Sequence, residues 1–199
     1  LVTLSDSVFG YVFYKYAKEH QLKFVPPFRK FLVENVEVQI NIFCNPNPKE
    51  LTNVDPAKIA KHQASYKEYT EIWDKRFTEG KLRWTLLPYP ISAQAQEASM
   101  SLEEYEEFVY RSCLVHKRDP VAEWERIHEQ QERNCRVLNK TNELRIAGED
   151  TDLTLSVKGR KWINCDGKLN MPDGELATSP VETSVNGKVR FTYPGIYLG

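Results

Sequence analysis

The stretch from Val36 to Cys44, Val-Glu-Val-Gln-Ile-Asn-Ile-Phe-Cys, alternates apolar and polar residues with a period of two. β-Branched side chains dominate it, and both features suit a strand with one buried face. Asn45-Pro46-Asn47-Pro48 then stops it. Asp55-Pro56 reads as a helix cap followed by proline in the first turn. The spacing predicts a helix from there to about Phe77, ending at Gly80, and a second strand over Leu82 to Leu87, closed by Pro88-Tyr89-Pro90. Strand, helix and strand in this order predict a βαβ unit with parallel strands and a crossover helix. One such unit cannot bury both faces of a parallel sheet, so further elements are expected around it.

On the N-terminal side, Val8, Phe9, Val12, Phe13 and Tyr16, between Asp6 and about Glu19, follow the spacing of a buried helical face. Pro26-Pro27 interrupts the next segment, because proline lacks the amide hydrogen and restricts its predecessor. On the C-terminal side, Ser101 opens a capping box with Glu104, backed by the stripe Leu102, Tyr105, Phe108 and Val109. Asp119-Pro120 caps a further helix, predicted to run to about Asn139 with Val121, Trp124, Ile127, Cys135 and Leu138 facing inward. After Asn142 the pattern changes. Leu153, Leu155 and Val157 alternate with polar residues, Lys158-Gly159 reads as a turn, and Lys161 to Cys165 is expected to return as the partner strand. Asn186-Gly187, between Thr183-Ser184-Val185 and Lys188-Val189-Arg190-Phe191, predicts a hairpin with a type I′ turn. The expected fold is an α/β part over 1–142, with a βαβ unit and connecting helices, and then a β-hairpin-rich part over 143–199. No internal repeat or low-complexity tract is visible.

Hydrophobic residues make up 41% of the 199 and charged residues 28%, enough for a packed core. Lysines and arginines number 27 against 28 acidic residues, and the near-cancellation argues against nucleic acid or an anionic membrane as partner. No apolar run approaches the ~20 residues of a membrane span. Cys44, Cys113, Cys135 and Cys165 lie far apart with no CxxC pair, so neither a zinc ribbon nor a thioredoxin-type motif is available. Scattered thiols of this kind suit reduced cysteines in a cytoplasmic protein. Leu1-Val2-Thr3-Leu4 lacks the features of a signal peptide, and Asn139-Lys140-Thr141 is a sequon of a kind that arises often by chance. No methionine precedes Met100, so the chain is expected to be a piece of a longer protein.

His128-Glu129-Gln130-Gln131-Glu132 comes within one residue of HExxH, in which two imidazoles at i and i+4 grip one ion. Glu132 takes the place of the second histidine, and a solvated helix face accounts for the pair. Glu103, Glu104, Glu106 and Glu107 could share acid and base work, yet early in a helix such charge is favoured by the macrodipole. His20, His62 and His116 show no partner spacing, and neither GxSxG nor GxxxxGK occurs. Cys113 and Cys165 are possible nucleophiles, but nothing local lowers their pKa. The stretch from Trp162 to Glu175 is polar, turn-rich and flanked by strands, the kind of loop that carries function. Glu175 follows Gly174 among oxygen-bearing residues, and on chemistry alone a solvent-facing turn carboxylate accounts for it better than a functional role does.

Several segments in order carry a resemblance. Trp84-Thr85-Leu86-Leu87-Pro88-Tyr89-Pro90, the run from Ala95 to Phe108, and Asp119-Pro120-Val121-Ala122-Glu123-Trp124 belong to it. So do Gly159-Arg160-Lys161-Trp162-Ile163-Asn164, Asn170-Met171-Pro172-Asp173-Gly174-Glu175 and Val189-Arg190-Phe191. Together they resemble the aminopeptidase T/aminopeptidase S/PepS family of metallopeptidases, from about Asn53 to the end and more weakly before it. Members are about twice as long. The resemblance implies an N-terminal α/β domain followed by a β-rich catalytic domain that holds two divalent metals, described as zinc, cobalt or magnesium. It further implies removal of N-terminal residues from peptides, and a homodimer. Glu175 falls on the family's first metal-ligand glutamate, and the other ligands are expected beyond Gly199.

Two departures stand out. Leu176-Ala177-Thr178 replaces the usual Val-Phe-Thr, and Thr183 stands where aspartate is common. Each ion needs three or four protein ligands, so residues 1–199 alone are expected to be inactive. Two other readings are a non-catalytic binding or assembly module of the same fold and a nucleotide-binding α/β protein, the latter without a glycine-rich phosphate loop.

Overall fold

The computed structural model describes residues 7–192, with helices and small sheets in two compact units that part between Glu106 and Glu107. The first unit opens with α1 (Ser7–Tyr16), α2 (Glu19–Leu22) and α3 (Pro27–Asn35), followed by β1 (Val38–Phe43). Asp6 and the side chain of Val8 lie outside the described residues. The rest of the expected α1 face is not core: Phe9, Val12 and Tyr16 are exposed, while Phe13 packs on His62.

The crossover is two helices, α4 (Pro56–Ser65) and α5 (Lys67–Thr78), not the single one expected. The break has a local cause. The Ser65 hydroxyl donates to His62 O at 2.6 Å and the Tyr66 amide donates to Gln63 O, tightening the turn to i−3 bonds before the chain restarts. Asp55 caps α4 as its position predicts, accepting from Ala57 N at 2.9 Å. The chain then enters β2 (Arg83–Pro88), which pairs in parallel with β1, Val38 opposite Arg83 through Phe43 opposite Pro88. The βαβ unit is therefore present.

Arg76 of α5 ties this unit together, donating to the carbonyls of Val33, Val36 and Lys81. Leu82 and Val33 are both buried. The sheet has an inverted face. Gln39 and Asn41 lie on its more covered side, where Trp73 Nε1 donates to Gln39 Oε1 at 3.4 Å, whereas Ile40 and Ile42 are 64% and 62% exposed. After β2 come α6 (Ser92–Glu97) and α7 (Leu102–Ser112), which spans the division between units. The predicted capping box is formed: Ser101 N donates to Glu104 and Glu104 N donates to Ser101 Oγ.

The second unit is organised on α8 (Pro120–Leu138), capped by Asp119, whose side chain accepts from Ala122 N at 3.0 Å. Cys135 is buried as expected, but Val121 is 68% exposed because it lies in the first turn, before the helix meets the sheet residues. Strands β3 (Glu143–Gly148), β4 (Thr151–Ser156) and β7 (Asn186–Lys188) form an antiparallel sheet in the order β3-β4-β7. Both edges of β4 are thereby occupied. For that reason β5 (Ile163–Cys165) pairs with β6 (Glu175–Ala177) and not with β4, contrary to the sequence expectation. Asn186-Gly187 is likewise no hairpin turn: it is strand β7 itself, with Gly187 opposite Leu153. A Cβ on Gly187 would stand 2.0 Å from Asp152 O, so close backbone approach explains the glycine. The change of pattern at residue 143 falls inside this second unit.

Candidate metal centre

Strand β6 begins at Glu175, and everything that fixes this residue comes from β5, α8 and the loop between the strands. Cys165 and Glu175 are directly paired across the antiparallel ladder, so they share one face of the ribbon. Between them the chain turns back on itself through Gly167 and Gly174, with a cis bond at Met171-Pro172. Gly174 has φ +115°, open to glycine and strained for other residues, and its amide donates to Cys165 O at 3.0 Å. Asp173 folds inward to accept from Gly167 N at 3.2 Å.

This closure brings Cys165, Asp173 and Glu175 together, with one potential ligand atom from each within 4.8 Å of the others. A pocket of about 300 Å³ opens there, lined by Asn170, Pro172, Asp173, Gly174 and Glu175. Glu175 is exposed, and Asp173 and Cys165 are half-buried. Burial pushes the Cys165 thiol up, and the carboxylates of Asp173, Glu175 and Asp166 add to the shift. The thiol is therefore poorly suited to nucleophilic attack, which needs the thiolate. Two carboxylates at this spacing fit a divalent cation, and an ion there would favour deprotonation of the adjacent sulfur. They do not complete a cage of about four donors.

Helix α8 braces the loop. His128 Nδ1 lies 2.6 Å from Asp166 Oδ2, a side chain only 7% exposed, and Lys168 Nζ reaches the same oxygen. Burial alone would raise the Asp166 pKa, but Lys168 and His128 outweigh it and hold the carboxyl below its ordinary value. Asn164 Nδ2 spans His128 O at 3.1 Å and Glu132 Oε2 at 3.3 Å. His128 and Glu132, the near-HExxH pair, thus serve as loop supports. Gln131, between them, donates from Nε2 to Glu175 O at 2.9 Å and is 8% exposed.

Several of the other candidates are engaged elsewhere. Glu104 caps α7, and Glu107 pairs with Arg111. Burial raises the Cys113 thiol. His20 and His62 line an aromatic pocket of about 750 Å³ in the first unit with Phe9, Phe13, Phe24 and Tyr66. Burial lowers the His62 pKa, and its Nδ1 pairs with Tyr14 Oη at 2.9 Å. That pocket has no carboxylate in its lining and so no hard donor set for a cation. Asn139, the sequon residue, accepts from Trp162 N at 2.9 Å.

Sequence reasoning reached Glu175 and its loop but missed Asp173 and Gln131. The signal for Gln131 was present: it continues the inward spacing of Ile127 and Cys135, a polar residue in an apolar stripe.

Aminopeptidase 2 of Geobacillus stearothermophilus is 25% identical over 215 residues, spanning 98% of this chain and 52% of that protein. Aminopeptidase PepS of Streptococcus thermophilus is 24% identical over 225 residues, spanning 100% and 53%. The chain thus spans about half the length of these relatives. Wild-type AmpT from Thermus thermophilus shares the fold, with a TM-score of 0.71 at 20% identity over 94% of this chain and 50% of that one. The profile of the thermophilic metalloproteases, M29, matches residues 1–199, and the chain belongs to that family.

Proposed function

We propose that these residues are part of a metal-dependent aminopeptidase that hydrolyses N-terminal residues from peptides, with Glu175 as a ligand in a two-metal site. The observation that carries this reading is the convergence of Glu175 and Asp173 on one braced loop, in a chain matched from end to end by a metalloprotease family. A divalent cation (zinc, cobalt or magnesium) supplies electrophilic polarisation of the scissile carbonyl when bound. The protein's own task is to aim the Glu175 carboxylate. Gly174 allows the turn, its amide and the β5–β6 ladder fix the strand, and Asp166 holds the far side of the loop to α8.

The reading extends to organisation. The β-rich catalytic domain begins at residue 143, residues 1–142 supply the α/β portion and connecting helices, and the protein works in the cytoplasm as a homodimer on peptide substrates. Among the described residues no complete donor set is present, and residues 1–199 alone are expected to be inactive. Among the described residues no helix is long and apolar enough to cross a membrane.

The test uses the complete gene product, stripped with chelator, reloaded with cobalt or zinc, and assayed on an aminoacyl anilide. Activity is expected on reloading, and Glu175→Gln abolishes it together with one bound metal ion. A Glu175→Gln protein with full activity and full metal content overturns the assignment.

A further inference from the structure

The geometry points to Gln131 as a positioning residue for the metal ligand Glu175, acting through the Glu175 carbonyl and not through the metal. This inference rests on the proposed role of Glu175. Gln131 lies on α8 and is 8% exposed, a rare state for a glutamine. Its Nε2 donates to Glu175 O at 2.9 Å, while its Oε1 is buried without a hydrogen-bond partner among the described groups. An amide that satisfies one end and strands the other gains little stability from its burial. An apolar side chain of the same length would remove the stranded Oε1, at the loss of the donor to the Glu175 carbonyl.

What the amide does supply is direction. One peptide upstream, the Gly174 amide is held on Cys165 O, and the peptide plane that leaves Glu175 is held by Gln131. With that plane held by Gln131 and Glu175 paired to Cys165 in the ladder, the heading of the Glu175 Cα–Cβ bond is constrained, although its carboxylate is exposed. Without Gln131 the plane leaving Glu175 is held on that side only by the short β5–β6 ribbon, three residues per strand. Outer-shell hydrogen bonds that orient a ligating side chain are worth about 10–100-fold in metal affinity, which sets the scale for a bond that orients the ligand's backbone.

The experiment titrates cobalt(II) against a competing chelator in the complete gene product, comparing wild type, Gln131→Met, Gln131→Asn and Glu175→Gln. Methionine keeps the length without the donor, and asparagine keeps the amide but falls short of the carbonyl. Both Gln131 variants should bind cobalt about 10–100-fold more weakly, with a changed visible absorption spectrum. The melting temperature of the metal-free protein should stay within about 4 °C of wild type, the shift expected from ~1 kcal/mol or less. Unchanged affinity in both variants, while Glu175→Gln loses a cobalt ion, overturns the positioning role and leaves the ligand assignment standing. Weaker binding accompanied by a larger drop in metal-free melting temperature overturns it in favour of a structural role. Should methionine prevent folding, the asparagine variant decides alone. Full cobalt retention by Glu175→Gln removes the ligand assignment itself, and the positioning role with it.

Discussion

The two units each contain a two-stranded ribbon, and the ribbons are built on opposite terms. In the first, β1 and β2 run parallel for six residues each, and the apolar side chains of Ile40 and Ile42 face away from the helices that touch the sheet. In the second, β5 and β6 are antiparallel and only three residues long, yet they are clasped to α8 by Gln131 and Asn164. The longer ribbon has the better strand sequence, and the shorter one carries the candidate ligand. Placement of the candidate ligand here comes from polar side chains that grip backbone, not from the extent of a ladder.

The comparison can be broken most severely at the core of the first unit. Leu82, 2% exposed, should cost about 2–5 kcal/mol when cut to alanine, read as a fall in the urea midpoint. Gly187→Ala should cost about 2–4 kcal/mol in the second unit, because the new methyl group meets the Asp152 carbonyl at a positive φ of 124°. Removing the cap of the bracing helix with Asp119→Ala should cost about 1 kcal/mol, and amide exchange should quicken first at the start of α8. Ile42→Ala on the uncovered face should cost no more than about 0.5 kcal/mol; a loss like that at Leu82 would show that this face is covered in solution.

The smallest effect is electrostatic. Lys23 and Lys61 lower the Glu19 pKa from 4.5 to about 2 by hydrogen bonding and by charge. A depressed carboxylate stabilises above its ordinary pKa and loses that contribution as the pH falls. Melting temperature should therefore drop between pH 4.5 and about 2 less steeply in Glu19→Gln than in wild type, with added salt narrowing the difference.

What the sequence disclosed divides along the same line as the ribbons. The caps at Asp55, Ser101 and Asp119 were legible because each depends on a side chain and an amide two or three residues away. The parallel pairing of β1 and β2 was legible from the order of elements. Which strand β5 would join was not, since it depended on β3 and β7 claiming both edges of β4 from distant parts of the chain. The covered side of β1 was not legible for a related reason: alternation reveals that two faces differ, and only the packing of α5 reveals which one is covered. Glu175 stood out only through family likeness, and the chemistry of its loop became readable once Asp173 and Cys165 were seen beside it.

The conformation of Gly174 has one further consequence. A Cβ built there meets nothing within 4 Å, so handedness and not bulk excludes other residues. A mirror-image alanine, introduced by chemical ligation, would sit at that backbone angle at ease and keep the following carboxylate on its heading, whereas ordinary alanine would twist it aside.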